Sequence, residues 1–358
     1  MTSIAGLRAE FSDPSGYLAT ATRGLIPAAA RAAVHAAVDG RPPREDESGG
    51  TPMSRSIELF AGLIGVRPDQ LAIGSQTSVT SSLVAGNVRH LDAGDEVLLV
   101  DGDFASVVFP FSASATSDDY RVRHVPLAEL AGEISDRTAV VAFSHVQSAD
   151  GAVADWDAVL AAVRDHGAWT YADLTQAAGW VPFGAPGHPR PADADITVTA
   201  AYKWLWTPRG VTISSFSDRA IRTLRPVHTS WHSGVDLDAS GYGPRIELAP
   251  DARRFDVSPP WPQYAAMEES LRLLTSVPPA LLHDWSVGLA DRFLTELGRE
   301  PTGSAIVSLP DPDGAIVAAG TAAGLTLALR QGGARIAFHA YNTEDDVDRA
   351  VAAVRSAR

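Results

Sequence analysis

A single lysine is present among the 358 residues of this chain, and lysine is the basic side chain that can serve as a nucleophile. The 29 Lys and Arg residues comprise 28 arginines and Lys203. An arginine stays protonated near neutral pH, whereas a desolvated lysine amine can lose its proton and attack a carbonyl carbon. The sequence therefore indicates an imine with an aldehyde at Lys203. The alternative is an ordinary lysine left by compositional drift.

A carboxylate and an amide precede Lys203 at a spacing that suits the same chemistry. Asp173 closes the strand-like segment 169–172, 30 residues before Lys203, and Gln176 follows three residues later. An aspartate at this position either caps the next helix or keeps the nitrogen of a pyridine ring protonated, which makes the ring an electron sink. Asp173, Gln176 and Lys203 are therefore candidates for one site.

Two further segments that follow predicted strands could contact a ligand. Gln76, Thr77 and Ser78 come after strand-like residues 71–73 and open a predicted helix. A helix start of this kind donates N–H groups to a phosphate, although helix capping explains the same residue types. Phe104 follows another predicted strand and either packs in the core or covers a flat ring.

Alternating strand and helix signals must position these side chains. Strands are predicted at residues 96–101, 139–144, 169–172 and 195–199, and an amphipathic helix at 155–166. This order predicts a mostly parallel sheet covered by helices, with ligands at the carboxyl ends of the strands. Beyond about residue 215, predicted helices at 264–274 and 343–354 and strands at 305–309, 325–329 and 335–339 indicate a smaller α+β domain. We predict a large domain at residues 16–262 and a small domain formed by residues 1–15 and 263–358.

Composition narrows the class of protein. With 45% hydrophobic and 20% charged residues, the chain resembles soluble globular proteins. Its net charge of −14 argues against nucleic acid or an anionic membrane as a partner. The chain has no cysteine, which excludes disulfides, cysteine-ligated metals and thiol catalysis, and no metal site is predicted. The first residues lack a secretory signal and no apolar stretch is long enough to span a membrane, so we expect a cytoplasmic protein.

The order of these segments resembles the class V aminotransferase family of fold-type-I pyridoxal-phosphate enzymes, over roughly residues 16–350. The most specific matches are Asp173-x-x-Gln176-x-x-Gly179, Lys203-Trp204-Leu205-x-x-Pro208-x-Gly210 and the closing segment 335–348. The family includes cysteine desulfurases, kynureninases, isopenicillin-N epimerase-like proteins and C–S lyases. The resemblance implies an α/β fold, with a mostly parallel seven-stranded sheet in the large domain and a smaller α+β domain.

The resemblance also implies a role for each matched residue. Lys203 would hold pyridoxal 5'-phosphate covalently and shuttle the Cα proton of the substrate. Asp173 would pair with the pyridinium nitrogen, and Gln176 would reach the ring hydroxyl. Phe104 would stack on the ring. The phosphate would be lined by Gln76, Thr77, Ser78 and Tyr202.

The substrate contacts that the resemblance implies are less closely tied to motifs. Arg335 would bind the substrate carboxylate through its planar fork, although a salt bridge explains an arginine there equally simply. Arg23, in the N-terminal segment, is a candidate second anion contact. Trp231 and His232 are candidates for substrate contact or, alternatively, for packing of an interdomain loop. The family further implies a small-molecule amino-acid substrate and a homodimer.

The chain departs from the family pattern in three respects. Ser148 stands where many relatives have an asparagine that touches the cofactor. Ser258-Pro259 replaces a Gly-Thr pair, so the threonine that reaches the phosphate of a neighbouring subunit is absent. Cysteine desulfurases transfer sulfur to an active-site thiol, and a chain without cysteine cannot use that mechanism.

We therefore predict an enzyme that acts at Cα and Cβ of an amino acid or cysteine S-conjugate, through an aldimine and a quinonoid. The interpretation favours β-elimination of the C–S lyase type, because the related members that lack the thiol and have Tyr before the lysine include enzymes that cleave bonds at Cβ. An aminotransferase or an epimerase of the same family is the alternative. A dinucleotide-binding protein is more remote, since no Gly-x-Gly-x-x-Gly follows a strand. A non-catalytic binding protein is disfavoured by the joint presence of Lys203, Asp173 and Gln176.

Overall fold

The computed structural model describes residues 3–40, 50–115, 120–244 and 246–357. In these ranges a seven-stranded sheet forms the centre of the molecule, with the strand order β1-β7-β6-β5-β4-β2-β3. All neighbouring strands are parallel except those that pair with β7, which is antiparallel to both β1 and β6. The strands are β1 (Leu71–Gly74), β2 (Glu96–Val100), β3 (Arg121–Val125), β4 (Thr138–Ser144), β5 (Trp169–Asp173), β6 (Ile196–Ala200) and β7 (Thr212–Phe216).

Burial on both faces explains why the inner strands read as continuous apolar runs. Every residue of β2, β4, β5 and β6 is buried, as expected for parallel strands covered by helices. The helices of this region are α4 (Thr77–Ala85), α5 (Ala105–Ser114), α6 (Trp156–His166) and α7 (Asp218–Thr223). The helix predicted at 155–166 is confirmed as α6, whose first turn is capped by the side chain of Asp155.

A smaller α+β unit follows in the chain. Its sheet has the order β8-β10-β9 with antiparallel neighbours. The strands are β8 (Ile306–Pro310), β9 (Ala328–Arg330) and β10 (Gly333–Ala337). The remaining helices are α1 (Ile4–Arg8), α2 (Ala28–Asp39), α3 (Pro52–Ile64), α8 (Trp261–Leu274), α9 (Pro279–Glu296), α10 (Ala315–Ala322) and α11 (Glu344–Ser356). The predicted α/β fold with a mostly parallel sheet and a smaller α+β unit is confirmed, whereas the domain boundaries stay a prediction.

Sheet topology brings the candidate residues to one edge. The parallel strands β4, β5 and β6 end at Ser144, Asp173 and Ala200, so their carboxyl ends lie side by side. Thr212, the first residue of the antiparallel strand β7, pairs with both Ala200 and Gly74. The end of β1 therefore meets the turn that contains the lysine. Among the helices of the described residues, none has the length and apolarity that crossing a bilayer requires.

Candidate active site

A cavity of about 350 Å³ opens at the carboxyl edge of the large sheet. Seven of the predicted cofactor-binding residues line it, and Ser78, which lies in the first turn of α4, does not. The lining consists of Ser75, Gln76, Thr77, Phe104, Ser106, Ser144, Ser148, Asp173, Thr175, Gln176, Ala200, Tyr202, Lys203, Arg209, Gly210 and Thr212. Segments that are up to 137 residues apart in sequence therefore share one wall.

Lys203 lies in a tight turn after β6 that the N-terminal segment holds in place. The Gly24 N–H donates to the Tyr202 carbonyl at 2.9 Å, and a Cβ on Gly24 would lie 1.9 Å from the carbonyl oxygen of Lys203. Trp206 completes the turn with a φ of 54°, a left-handed conformation that is uncommon for a bulky residue. Its ring is buried against those of Phe11 and His339. The backbone around the lysine is thus fixed by packing.

The amine of Lys203 loses its proton more readily than that of an ordinary lysine. The side chain is 5% exposed, and no carboxylate of the described residues lies within 4.0 Å of its Nζ. Burial lowers the pKa of Lys203 to about 8, an effect that Asp173 opposes and that nearby arginines reinforce. Since a neutral amine is the nucleophilic form, a useful fraction of Lys203 is reactive close to neutral pH.

Asp173 is a buried carboxylate that carries no ion pair with any residue in the described ranges. Its Oδ1 accepts a hydrogen bond from the Thr175 N–H at 2.7 Å. Burial raises the pKa of Asp173 to about 6, and the contacts with Thr175 and the charge of Lys203 limit the rise. Asp173 is therefore ionised at neutral pH, but at a cost in desolvation that a cationic ligand group would relieve.

Gln176 has a fixed amide orientation. Its Oε1 accepts from the Trp204 indole N–H at 2.7 Å, and its Nε2 donates to the Ala21 carbonyl at 3.0 Å and to Ser148 Oγ at 2.9 Å. Both amide hydrogens are engaged, so a bond from Gln176 to a ring hydroxyl would replace the one to Ser148. Ser148, one of the predicted departures from the family pattern, lines the cavity.

Phe104 offers an open aromatic face to the cavity. It is 44% exposed, which is high for a phenylalanine, and its ring centroid lies 5.1 Å from Lys203 Nζ. The preceding residue, Asp103, accepts hydrogen bonds from the Ser144 N–H at 2.7 Å and Oγ at 2.6 Å. These bonds tie the loop before α5 to the end of β4 and hold the ring over the cavity.

The other end of the cavity suits a phosphate. Ser75, Gln76 and Thr77 surround the N-terminus of α4, where unpaired N–H groups and the helix dipole favour an anion. The guanidinium of Arg209 lies 4.4 Å above the Tyr202 ring and donates to the Tyr202 hydroxyl at 3.4 Å. The sequence reasoning did not include Arg209. Its signal is a cation in the turn Pro208-Arg209-Gly210, directly before the strand that returns to the site.

Arg335, on β10, is a buried cation beside the cavity. It is 2% exposed and donates to the carbonyl and Oγ of Ser148 and, at 2.6 Å, to Thr22 Oγ1. It forms no salt bridge with a carboxylate of the described chain. Burial lowers the pKa of Arg335 to about 10, with a further contribution from Arg330 at the end of β9. Arg330, which the sequence reasoning also missed, donates to the same Thr22 hydroxyl at 3.4 Å.

The remaining predicted substrate contacts lie away from the cavity wall. His232 is buried with its Nδ1 2.7 Å from Asp256 Oδ2, and the Trp231 indole donates to Ser258 Oγ at 3.3 Å. Arg23 is exposed, and its backbone carbonyl accepts from the Tyr17 hydroxyl. None of the three lines the cavity, and their roles toward a substrate stay predictions.

These residues fit pyridoxal phosphate. A buried amine with a lowered pKa suits its aldehyde. A carboxylate that forms no ion pair with any described residue suits its protonated ring nitrogen. Phe104 can cover the ring, and the α4 N-terminus with Tyr202 and Arg209 can hold the phosphate. Without the cofactor, the charges of Lys203 and Asp173 are buried and not paired with each other at contact distance.

Comparisons with known proteins agree with this geometry. Isopenicillin N epimerase of Amycolatopsis lactamdurans is 30% identical over 209 residues, which cover 55% of this chain and 49% of the epimerase. A kynureninase of Burkholderia mallei (strain SAVP1) is 27% identical over 218 residues, or 56% of this chain and 51% of the kynureninase. The matches thus span about half the length of these curated relatives.

Solved structures extend the likeness to the whole fold. A cysteine desulfurase from Escherichia coli superposes with a TM-score of 0.84 at 18% identity, covering 100% of this chain and 98% of the desulfurase. A cystine C–S lyase in complex with cysteine persulfide gives a TM-score of 0.82 at 19% identity, covering 99% of both chains. Residues 51–308 match the family model described as aminotransferase class-V. The chain belongs to the class V aminotransferase family and is a pyridoxal-phosphate-dependent enzyme of the fold-type-I architecture.

Proposed function

We propose that this enzyme removes the Cα proton of an amino acid or cysteine S-conjugate and then releases the group bound at Cβ, as a C–S lyase does. The observation that carries the proposal is the sole lysine of the sequence, Lys203, which is buried in the cavity wall with its pKa lowered to about 8. The absence of cysteine supports elimination over desulfuration, because no thiol is available to accept sulfur.

Arg335 would bind and orient the substrate. A planar guanidinium binds a carboxylate through two parallel hydrogen bonds. Among the described residues, the acceptors that Arg335 contacts, on Ser148 and Thr22, are neutral. Because Arg335 is buried, a carboxylate that it binds is shielded from water, which strengthens the interaction. This contact would fix the substrate so that its Cα–H bond faces the amine.

Lys203 would move the proton. Its Nζ, in the neutral form, accepts the Cα proton, and the resulting ammonium can donate a proton to the group that leaves Cβ. When bound, pyridoxal phosphate supplies an electron-withdrawing ring that stabilises the negative charge at Cα. The ionised carboxylate of Asp173 would keep a proton on the ring nitrogen, and Tyr202 and Arg209 would anchor the phosphate.

Aminotransferase or epimerase chemistry is the second candidate. The 30% identity to isopenicillin N epimerase favours it, although that match covers about half of each protein. An epimerase and an aminotransferase differ in where the proton goes after it leaves Cα. An epimerase returns it to the opposite face of Cα, whereas an aminotransferase delivers it to the cofactor and passes the amino group to a keto acid.

Product analysis tests the proposal. Cysteine S-conjugates incubated with the cofactor-loaded enzyme should yield pyruvate, ammonia and a thiol without any keto acid. Borohydride reduction and peptide mapping should place a pyridoxyl group on Lys203, and a Lys203→Arg variant should carry none. If a broad panel of conjugates gives no pyruvate while amino transfer or loss of optical activity is seen, elimination is refuted.

The proposal includes a cytoplasmic homodimer with a small-molecule amino-acid substrate, as in the family that the sequence resembles. Analytical ultracentrifugation of the cofactor-loaded enzyme should give twice the 37.7 kDa mass of the chain. A sedimenting species of one chain at micromolar concentration would contradict it.

A further inference from the structure

We propose that the substrate carries a second anionic group besides its α-carboxylate, and that Arg330 binds this group at the mouth of the cavity. The inference deepens the proposed function and rests on it, since it takes Arg335 as the contact for the α-carboxylate. The chemical class is an amino acid whose side chain or S-substituent ends in a carboxylate or a similar anion.

Two guanidinium groups converge on one hydroxyl. Arg335 donates to Thr22 Oγ1 at 2.6 Å and Arg330 donates to the same atom at 3.4 Å. The two donating nitrogens are therefore no more than the sum of these distances, 6.0 Å, apart. A hydroxyl oxygen carries no net charge, so Thr22 positions both cations without neutralising either one.

No carboxylate in the described ranges pairs with Arg330 or Arg335. This is unexpected in a chain with 43 acidic and 29 basic residues. Other arginines do find carboxylates, as Arg219 does with Asp195 at 2.9 Å. Like charges held this close repel each other, and Arg330 adds to the lowering of the Arg335 pKa. An arrangement of this kind is stabilised when anions arrive from outside the chain.

The backbone holds Arg330 at the edge of the site. Arg330 is the last residue of β9 and pairs with Gly333 of β10 across a two-residue turn. In that turn, Gln331 has a φ of 46° and its Nε2 donates to the Gly102 carbonyl at 3.1 Å. The hairpin tip therefore contacts the loop that leads to Phe104, which lines the cavity.

Arg335 and Arg330 differ in their exposure to solvent, and this difference suits them to different parts of a substrate. Arg335 is almost fully buried, so it suits the carboxylate that every amino acid carries next to the reacting carbon. Arg330 is exposed, and its charge reaches the site closely enough to lower the pKa of Lys203. A group that Arg330 binds therefore lies farther out, on the part of the substrate that points to solvent. One carboxylate shared by both arginines is the competing arrangement.

Equilibrium binding of glutarate and its mono-amide, glutaramate, to the cofactor-loaded enzyme tests the inference by calorimetry. Both ligands have one carboxylate for Arg335, lack an amine, and differ only in the second anion. Wild-type enzyme should bind glutarate more tightly than glutaramate. Arg330→Gln should weaken glutarate about tenfold, the loss expected for one charge-assisted contact, and leave glutaramate within about twofold. Arg299→Gln, at an exposed arginine in the turn after α9, removes the same charge and should change neither.

Three results would overturn the inference: equal binding of both ligands by the wild type, an unchanged glutarate affinity in Arg330→Gln, or an equal loss for both ligands. The last would mean that the two arginines share one carboxylate. Turnover gives a second comparison, with S-(2-carboxyethyl)cysteine expected to lose kcat/KM in Arg330→Gln and S-(2-carbamoylethyl)cysteine to keep it. Failure of the elimination chemistry would show as no pyruvate from either conjugate, while the binding result would still decide the role of Arg330.

Discussion

Replacing Asp173 with asparagine should stabilise the cofactor-free protein while it impairs the active site. Asp173 is a buried carboxylate at the end of β5 that has no cationic partner at contact distance in the described structure. Asparagine has the same shape, and its Oδ1 can keep the hydrogen bond that Asp173 accepts from the Thr175 N–H. The substitution therefore removes a buried charge and little else.

The size and the pH dependence of the effect follow from the pKa. Burial raises the pKa of Asp173 from 3.8 to about 6. The folded protein thus holds this proton more tightly than the unfolded chain, so stability falls as pH rises from about 4 to 6 and stays lower above that. At about 1.4 kcal/mol per pKa unit, the full loss is roughly 3 kcal/mol. The asparagine variant escapes this loss, so its advantage over the wild type should be roughly half as large at pH 5 as at pH 8, where it reaches about 3 kcal/mol.

Urea unfolding of the cofactor-free proteins at pH 5, 6.5 and 8, followed by circular dichroism, measures this difference. Asp256→Asn is the matched control, because burial also raises the pKa of Asp256 to about 6, yet Asp256 lies beside His232 and does not line the cavity. For both variants the stability advantage over the wild type should grow with pH, but only Asp173→Asn should alter the absorbance of the bound cofactor. A less stable Asp173→Asn protein at pH 8, or a difference that does not change with pH, would refute the desolvation argument.

Three further predictions concern the turn and the two ends of the cavity. The rate at which the cofactor-free protein binds pyridoxal phosphate covalently should rise with pH and level off above about pH 8, because the neutral Lys203 amine is the reactive form. Stopped-flow absorbance measures this rate, and a rate that does not change with pH would contradict the lowered pKa. Gly24→Ala should destabilise the protein by about 1–3 kcal/mol, because the new Cβ would lie 1.9 Å from the Lys203 carbonyl oxygen. Gly62→Ala in α3, where the new Cβ would have no atom within 4 Å, should instead stabilise the protein by about 0.5–1 kcal/mol in the same urea assay. Arg209→Gln should weaken pyridoxal phosphate about tenfold and pyridoxal hardly at all in absorbance titrations, and an equal loss for both would disprove a phosphate contact.

Local sequence patterns predict those parts of the fold whose burial is uniform. The inner strands β2, β4, β5 and β6 appear as short apolar runs because helices cover both of their faces. Several elements lie outside the predictions, among them β3, β7 and α9. The edge strand β3 is largely polar and is a strand because its backbone pairs with β2. The antiparallel direction of β7 follows from the short connection 201–211 after β6, which leaves no room for a crossover helix. Helix α9 contains Gly288, which is a signal against a helix.

The candidate site likewise contains residues that sequence order groups together and residues that only the tertiary structure brings together. Asp173 and Lys203 follow predicted strands, and parallel strands bring their carboxyl ends together, so sequence order suffices to group them. Thr22 meets Arg335 and Arg330 across more than 300 residues of sequence. No local spacing encodes that contact, because it depends on how the small sheet docks against the N-terminal segment. The position of Arg330 therefore emerges only from the tertiary structure.

Three buried charged groups in or beside the cavity have no ion-pair partner among the described residues, which distinguishes them from a buried charge elsewhere in the molecule. Glu268 is buried, but Arg55 at 2.7 Å and Arg272 at 2.6 Å hold its pKa below the usual value despite the opposing effect of burial. Lys203, Asp173 and Arg335 are as buried, form no ion pair with any described residue, and have pKa values displaced toward their neutral forms.

A fold retains such unpaired charges only where something else offsets their cost, because each buried charge without a partner costs several kcal/mol. Three ligand groups would offset the cost of these charges: an aldehyde carbon at the Lys203 amine, a protonated ring nitrogen at Asp173 and a carboxylate at Arg335. A ligand with all three groups would shift the free energy of unfolding upward by more than any one of them. Cofactor and a dead-end carboxylate added together should thus stabilise the protein more than either one alone.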